Sequence, residues 1–357
     1  MAKESSQFSH IYAQLRDVLQ PFPSRPTLPP PPTITSDPCI LSSQTKKQLK
    51  QALDNSLAPS TVGGYKLAIR RFNAFCEREN IPSHLRWPAD EFILCAFAAS
   101  HAGRVTGSTV KGYLAGIQAW HIAHNAPYNG SARLAYVVNG VSNLAPSSSK
   151  RPPRPPITRR MLRLLFDHFN FSLPLDVAVF AAATVAFWGQ CRLGELLPSG
   201  HNISNPGSLP LRSHFHIGDA SATLFLPWTK ITKTKGATIT LTHQTRPLNP
   251  VAAVKLHFLT SQLPLSAPLF SYYVEGKVIP LSKPTFIKRC NTIWTAKGLP
   301  RITGHSFRIG GTTELLLAGV PTDVVKALGR WSSDTFLVYW RSFSELAPLY
   351  VSNLPSS

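Results

Sequence analysis

Six residues in the second half of this 357-residue chain carry side chains that are well suited to chemistry on a phosphate. In sequence order they are Arg192, Lys230, His305, Arg308, Trp331 and Tyr339. The planar fork of arginine binds two oxygens of one phosphate, and it stays charged at any working pH. Such fixed cations stabilise the charge that phosphate oxygens gain in a transition state. A phenol can act as the nucleophile and an ammonium group as the acid, so together these residue types could cut a phosphodiester bond without a metal ion.

The spacing of these residues supports a shared site. His305 and Arg308 are three positions apart, which places them on one face of a helix and allows both to meet one phosphate. Each residue also has an ordinary structural explanation when it is taken alone. Arg192 could pair with Glu195, and Tyr339 could be a core aromatic residue beside Phe336. The presence of all six residue types within one half of the chain favours the functional interpretation.

The segments around these residues also occur in a recognisable order. They resemble the successive signatures of the tyrosine recombinases, the phage-integrase-like family of DNA strand-exchange enzymes. The four segments are GQCRLGELL (189–197), LPWTKITKTKG (226–236), GHSFRIGGTT (304–313) and GRWSSDTFLVYWR (329–341). The Gly-Arg-Trp start and Tyr-Trp-Arg end of the last segment resemble the eukaryotic branch found in Crypton-like and DIRS-like mobile elements.

The resemblance implies a role for each residue. Arg192 matches the first arginine of the family, with Glu195 in the supporting acidic position. His305 and Arg308 match its His-x-x-Arg pair, and Tyr339 matches its nucleophile. The implied reaction attacks phosphorus to give a 3′-phosphotyrosine and a free 5′ hydroxyl, which then rejoins a strand without ATP, metal or other cofactor. A free phenol titrates at about pH 10, so His305 is the expected base.

Two assignments remain open at this stage. The family's His or Trp usually precedes the tyrosine by about nine residues, but Trp331 precedes Tyr339 by eight. A gapless match selects Arg330, whereas the indole N–H of Trp331 can donate to a phosphate oxygen. The lysine is Lys230 if it lies just beyond the strand, and Lys233 if it lies nearer the tip of the hairpin.

The charge balance predicts double-stranded DNA as the partner. Lys and Arg number 37 against 17 Asp and Glu, a formal net charge of +20. Neutralising DNA phosphates releases counterions, so this excess favours nucleic-acid binding. The expected DNA contacts lie in three places: a helix of the N-terminal half, a basic linker, and the tip of the hairpin. They are Lys66, Arg70, Arg71, Lys150, Arg151, Arg154 and Lys233.

The hydrophobic pattern predicts a mainly α fold with a small antiparallel β hairpin or sheet, in two domains. Residues 1–44 are expected to form a proline-rich disordered arm, and residues 45–145 a helical core-binding bundle. A basic, proline-rich linker is predicted over 146–158. Residues 159–350 then form an α+β catalytic domain, with a hairpin at 222–242 and helices at 250–262, 284–297, 306–318, 321–328 and 334–343.

Several classes of protein are disfavoured. No apolar stretch is long enough to cross a bilayer, and no Gly-Lys-Ser/Thr phosphate loop is present. The five cysteines are odd in number and widely spaced, which fits a protein of the reducing cell interior. The expected location is the nucleus in a eukaryote and the cytoplasm otherwise. We expect a homo-oligomer, a tetramer, on DNA. The alternative is a catalytically idle DNA-binding protein derived from a mobile-element integrase.

Overall fold

The computed structural model describes residues 41–150, 152–200 and 206–339. The predicted arm lies almost wholly outside these residues, as does the predicted DNA contact Arg151. The chain divides into two compact units, Met1–Arg151 and Pro152–Ser357. Within the described ranges, no helix is both long and apolar enough to cross a membrane.

The first unit is helical. Side-chain oxygens of Ser42, Asp90 and Ser131 each accept a hydrogen bond from a backbone N–H in the first turn of a helix, which fixes where these helices begin. The helices are α1 (Ser43–Asp54), α2 (Pro59–Arg78), α3 (Ser83–Arg86), α4 (Glu91–Ala99), α5 (Gly107–Ala123) and α6 (Ala132–Asn143).

Aromatic and aliphatic side chains from four of these helices form the core of the first unit. Phe72 of α2 meets Phe97 of α4 edge to face, with ring centroids 5.3 Å apart. Val110 and Ile117 of α5 and Val138 of α6 close the cluster. The polar face of α2 is thereby left at the surface.

The second unit combines helices with two small sheets. Its helices are α7 (Arg159–His168), α8 (Pro174–Trp188), α9 (Leu193–Leu196), α10 (Pro250–Ser261), α11 (Lys283–Ala296), α12 (His305–Leu317) and α13 (Thr322–Leu328). Its strands are β1 (Phe215–Ile217), β2 (Ser221–Leu226), β3 (Ala237–Thr242), β4 (Ser271–Val274) and β5 (Lys277–Pro280).

The strands pair antiparallel in the order β1-β2-β3, with β4 and β5 forming a separate hairpin. Leu224 pairs with Ile239 across β2 and β3, and both side chains are buried. Alternate residues of β2 and β3 therefore face the core, while the turn between them stays exposed. The predicted hairpin is confirmed. Strand β1 and the second hairpin were not predicted, because strands of three or four residues are too short to show a two-residue period.

Helix α8 forms the centre of the second unit and sets the position of α12. All of its residues from Asp176 to Phe187 are buried. A Cβ at Gly311 would collide with the carbonyl oxygen of Phe187, and one at Gly310 with the backbone of Ile157. The two glycines therefore allow α12 to pack directly on backbone, which brings the first turn of α12 next to the end of α8.

The predicted fold class is confirmed: the chain is mainly α with a small antiparallel sheet. The prediction of an α-helix at 334–343 was wrong in the type of helix. Residues Asp334–Tyr339 form a 3-10 helix, and its remaining positions lie outside the described residues. The buried ring of Phe336 holds this segment against Leu316 and Val325.

Candidate active site

Arg308, on the first turn of α12, lies at the centre of the candidate site. It is completely buried, and its two terminal nitrogens donate to backbone carbonyls, Nη1 to Gln190 at 2.6 Å and Nη2 to Gly329 at 2.7 Å. Burial, followed by the charges of Arg192 and Arg330, lowers the pKa of Arg308 to about 10. The guanidinium therefore remains charged at neutral pH, at the junction of α8, α12 and α13.

Trp331 covers this guanidinium. The indole ring centroid lies 3.8 Å from Cζ of Arg308, within the range of a cation–π contact. Its Nε1 donates to Oε1 of Gln190 over 3.5 Å, the upper limit for a hydrogen bond. Arg308 has no exposed surface, so an anion can contact it only after neighbouring side chains shift, and the indole of Trp331 lies directly over it.

Glu195 organises two further arginines. Its buried carboxylate accepts from Nη1 of Arg192 at 2.9 Å through Oε1. Oε2 accepts from the backbone N–H of Arg192 and from Nη2 of Arg330, each at 3.1 Å. Arg330 also donates to the carbonyl of Gly189 and has a left-handed backbone, with φ of 56°. One carboxylate thus fixes two guanidinium groups beside the buried Arg308.

The candidate nucleophile contacts the candidate base directly. Nε2 of His305 lies 2.8 Å from the phenol oxygen of Tyr339, although the two residues are 34 positions apart in the chain. A neutral imidazole with its proton on Nδ1 accepts the hydrogen bond of the phenol at Nε2. The ring of Tyr339 also packs 5.6 Å from that of Trp331.

The surroundings of His305 keep its imidazole neutral. Its pKa is lowered first by burial and then by the positive charges of Arg154, Arg308, Arg192 and Lys230. An unprotonated imidazole at neutral pH is the state that a general base requires. These four cations come from separate segments of the second unit, and each disfavours a proton on this histidine.

The hairpin lysines lie at the edge of this group. The turn after β2 is closed by paired backbone hydrogen bonds between Thr229 and Lys233. Lys230 is exposed, and its charge acts on His305. Lys233 is exposed and approaches the ring of Trp228, with Nζ 5.7 Å from the ring centroid. The charge effect supports Lys230, and the choice between the two lysines stays a prediction.

The predicted DNA contacts fall into two groups. Lys66, Arg70 and Arg71 are exposed on α2, where Arg71 also lies 4.9 Å from the ring of Tyr113. Lys150 is exposed at the end of the first unit. Arg154 was predicted as a linker contact, and its charge acts on the pKa of His305 in the second unit.

Sequence reasoning missed the residues that hold Arg308. Gln190 is completely buried in a left-handed conformation, with φ of 46°, and supplies a carbonyl to Arg308 and a carboxamide to Trp331. Gly329 supplies the other carbonyl, and a Cβ there would overlap the indole of Trp331 and lie 2.6 Å from Oε1 of Gln190. Every residue has a backbone carbonyl, so the sequence does not indicate which carbonyls accept hydrogen bonds from Arg308.

Comparison with known proteins gives one positive result. No family model matches the chain, and no curated protein matches its sequence. Solved structures do match. The post-cleavage complex of the XerH site-specific recombinase with a palindromic difH substrate is 16% identical, with 86% of this chain and 84% of that chain covered and a TM-score of 0.58.

Two other complexes are similar over most of their length. A lambda integrase dimer bound to a COC′ core site is 15% identical, with 84% and 94% of the two chains covered and a TM-score of 0.53. The Tn1549 transposon integrase with transposon right end DNA is 11% identical, with 87% and 98% covered and a TM-score of 0.52. The chain therefore has the fold of these recombinases and integrases.

Proposed function

We propose that this chain is a tyrosine recombinase, which cuts and rejoins duplex DNA through a 3′-phosphotyrosine formed on Tyr339. The observation that carries the proposal is the 2.8 Å contact between the phenol of Tyr339 and Nε2 of His305, within a group of cations. A phenol beside a neutral imidazole has an acceptor for its proton. A phosphate beside several guanidinium groups has its developing charge stabilised.

The proposed first step moves one proton and exchanges one bond. His305 accepts the proton of Tyr339 at Nε2 while the phenol oxygen attacks phosphorus. The bond from phosphorus to the 5′ oxygen breaks, and Lys230 protonates that oxygen. In the second step, the 5′ hydroxyl of another strand gives its proton to Lys230 and attacks the phosphotyrosine. The new phosphodiester forms, the bond from phosphorus to the phenol oxygen breaks, and His305 returns the proton to Tyr339.

The arginines differ in their access to phosphate. The side chain of Arg192 is 26% exposed, so it can contact a phosphate while it stays paired with Glu195. Arg308 is covered by Trp331, so binding of the scissile phosphate must shift the indole. We propose that Trp331 then donates its N–H to the phosphate, and that Arg330 remains bound to Glu195.

The rival function is a DNA-binding protein that no longer cuts. The retained contact between His305 and Tyr339 disfavours it, because binding alone needs no base beside a phenol. This proposal also includes a role in a Crypton-like or DIRS-like mobile element and a tetramer on DNA. It places the protein in the nucleus of a eukaryote, or in the cytoplasm otherwise. The DNA-bound neighbours support duplex DNA as the partner.

A covalent adduct tests the proposal. The full chain is incubated in EDTA with a library of randomised duplexes, each carrying an internal nick. The nick lets the short fragment with the free 5′ hydroxyl diffuse away after cleavage, while the labelled strand stays joined to the protein. We expect a labelled band with the mass of protein plus DNA on a denaturing gel. Retarded DNA on a native gel with no covalent band would favour the idle protein, and cleavage only after magnesium is added would favour a metal-dependent nuclease.

The rate of adduct formation should depend on His305 as a base. Because the pKa of His305 is lowered, the imidazole is neutral throughout the neutral range and gains a proton only on acidification below its ordinary value of about 6.5. We expect a rate that is level near pH 7–8 and falls below about pH 6.5, measured at subsaturating DNA, where the profile reports the free protein. His305→Gln should be slow at every pH and lack this acidic limb. A wild-type rate that rises on acidification would contradict the role of a base.

The first unit, together with the basic linker that follows it, should bind DNA without the rest of the second unit. A fragment of residues 41–156 contains α1 to α6 and Arg154, and it ends before Ile157, which is buried in the second unit. Circular dichroism should show a folded helical protein that shifts a labelled duplex. Replacing Lys150, Arg151 and Arg154 by Gln should lower the slope of log affinity against log salt by about 2–3, since each phosphate contact contributes about 0.9. A folded fragment that leaves the duplex unshifted at low salt would make the bundle a protein-interaction module.

A further inference from the structure

Gln190 combines features that are costly for a structural residue. It is completely buried, and its φ of 46° lies in the left-handed region, a backbone conformation that residues other than glycine rarely adopt. Its Nε2 is also buried, and among the described residues it has no hydrogen-bond partner. Strained backbone and an unpaired buried donor both destabilise a fold, and strain of this kind concentrates at functional sites.

The contacts of Gln190 all lead to the candidate active site. Its carbonyl accepts from Nη1 of Arg308, and its Oε1 accepts from the hydroxyl of Thr312 at 2.7 Å and from Nε1 of Trp331 at 3.5 Å. The indole N–H is a donor only, so the oxygen of the carboxamide must face it. One residue therefore holds both Arg308 and the ring that covers it.

We propose that Gln190 is a positioning residue: it sets the orientation of Arg308 and Trp331 for the scissile phosphate, at the expense of stability. The inference rests on the proposed function and deepens it. Gln190 does not itself touch the reacting atoms. Its carbonyl holds the buried guanidinium of Arg308, and its carboxamide holds the indole of Trp331 over that guanidinium until the phosphate binds.

Gln190→Met separates this role from a structural one. Methionine has a similar length and volume, but it has no amide, so it removes the unpaired donor together with the acceptor. Thr312 keeps a partner, because its hydroxyl also donates to the carbonyl of Arg308 at 2.9 Å. We expect a melting temperature that is unchanged or higher, an unchanged affinity for DNA, and a rate of adduct formation at saturating DNA about tenfold lower.

The chain offers a matched control. Gln262 has a φ of 42°, nearly the same left-handed conformation, at the exposed end of α10 and outside the site. Gln262→Met should leave the rate, the affinity and the melting temperature as in the wild type. Gln190→Gly is the second variant, because glycine adopts a positive φ without strain. It should fold and show the same loss of rate even if the methionine variant does not fold.

The measurement is single-turnover adduct formation on the nicked duplexes in EDTA, with dissociation constants from a native gel. The effect of Gln190→Met should shrink below about twofold in a Trp331→Phe background, since the carboxamide of Gln190 acts through the indole N–H, which phenylalanine lacks. A wild-type rate in Gln190→Met or Gln190→Gly would overturn the inference while leaving the proposed function intact, and so would a rate loss matched by an equal loss of affinity. A wild-type chain that forms no adduct would overturn both.

Discussion

Tyr339→Phe is expected to abolish the covalent adduct while the affinity for duplex DNA stays within about twofold of the wild type. The substitution removes one hydroxyl group, which is the proposed nucleophile. It also removes the hydrogen bond to His305. A hydrogen bond of this type contributes about 1 kcal/mol to stability, so the variant should still fold. The aromatic ring keeps its packing against Trp331.

The matched control is Tyr273→Phe, which removes the hydroxyl of an exposed tyrosine on β4, outside the site. It should form the adduct at the wild-type rate. Gel bands from both variants and the wild type, with DNA affinities from a native gel, separate the loss of chemistry from the loss of binding. An adduct at the wild-type level in Tyr339→Phe would contradict the assignment, and Tyr350 would become the next candidate.

Arg308→Lys and Arg192→Lys are each expected to slow adduct formation by about 10²-fold or more. Lysine keeps the positive charge but loses the planar fork. Removal of one donor to a developing oxyanion typically costs 10²–10³ in rate, about 2.7–4 kcal/mol. For Arg308 the loss has a second component, because a single ammonium group cannot reproduce the two bonds to the carbonyls of Gln190 and Gly329.

Burial makes the two variants informative in different ways. Arg308 is fully buried, so its replacement also lowers stability, which thermal unfolding will report. Arg192 is partly exposed and leaves Glu195 still paired with Arg330, so its variant should fold normally. Arg163→Lys, at an exposed ion pair with Asp167, is the control and should be silent. Near-normal rates in both active-site variants would mean that these arginines are structural.

The sequence predicted the fold class and the candidate residues to different depths. Long amphipathic segments predicted helices because each contains several turns of one period. The apolar stretch that forms α8 has no such period, and its length favoured a buried helix over a strand. The strands β1, β4 and β5 contain three or four residues each and carry no such signal. The 3-10 form of Asp334–Tyr339 depends on how Phe336 packs, which a local pattern does not contain.

The geometry of the site depended on contacts across long stretches of chain. The motif order brought His305 and Tyr339 into one hypothesis, but their direct contact spans 34 positions. Arg308 was expected at a phosphate, whereas its fork is held by two carbonyls beneath Trp331. The left-handed conformations of Gln190 and Arg330 create this arrangement, and neither residue type indicates a positive φ.

Identification of the DNA-linked peptide tests the central claim most directly. Adduct formed in EDTA is digested with trypsin and nuclease, and the modified peptide is sequenced by mass spectrometry. Cleavage after Arg330 and Arg341 releases residues 331–341, WSSDTFLVYWR, in which Tyr339 is the only tyrosine. We expect the nucleotide to be joined through its 3′ phosphate to Tyr339. A nucleotide on any other residue, or one joined through its 5′ phosphate, would contradict the proposed mechanism.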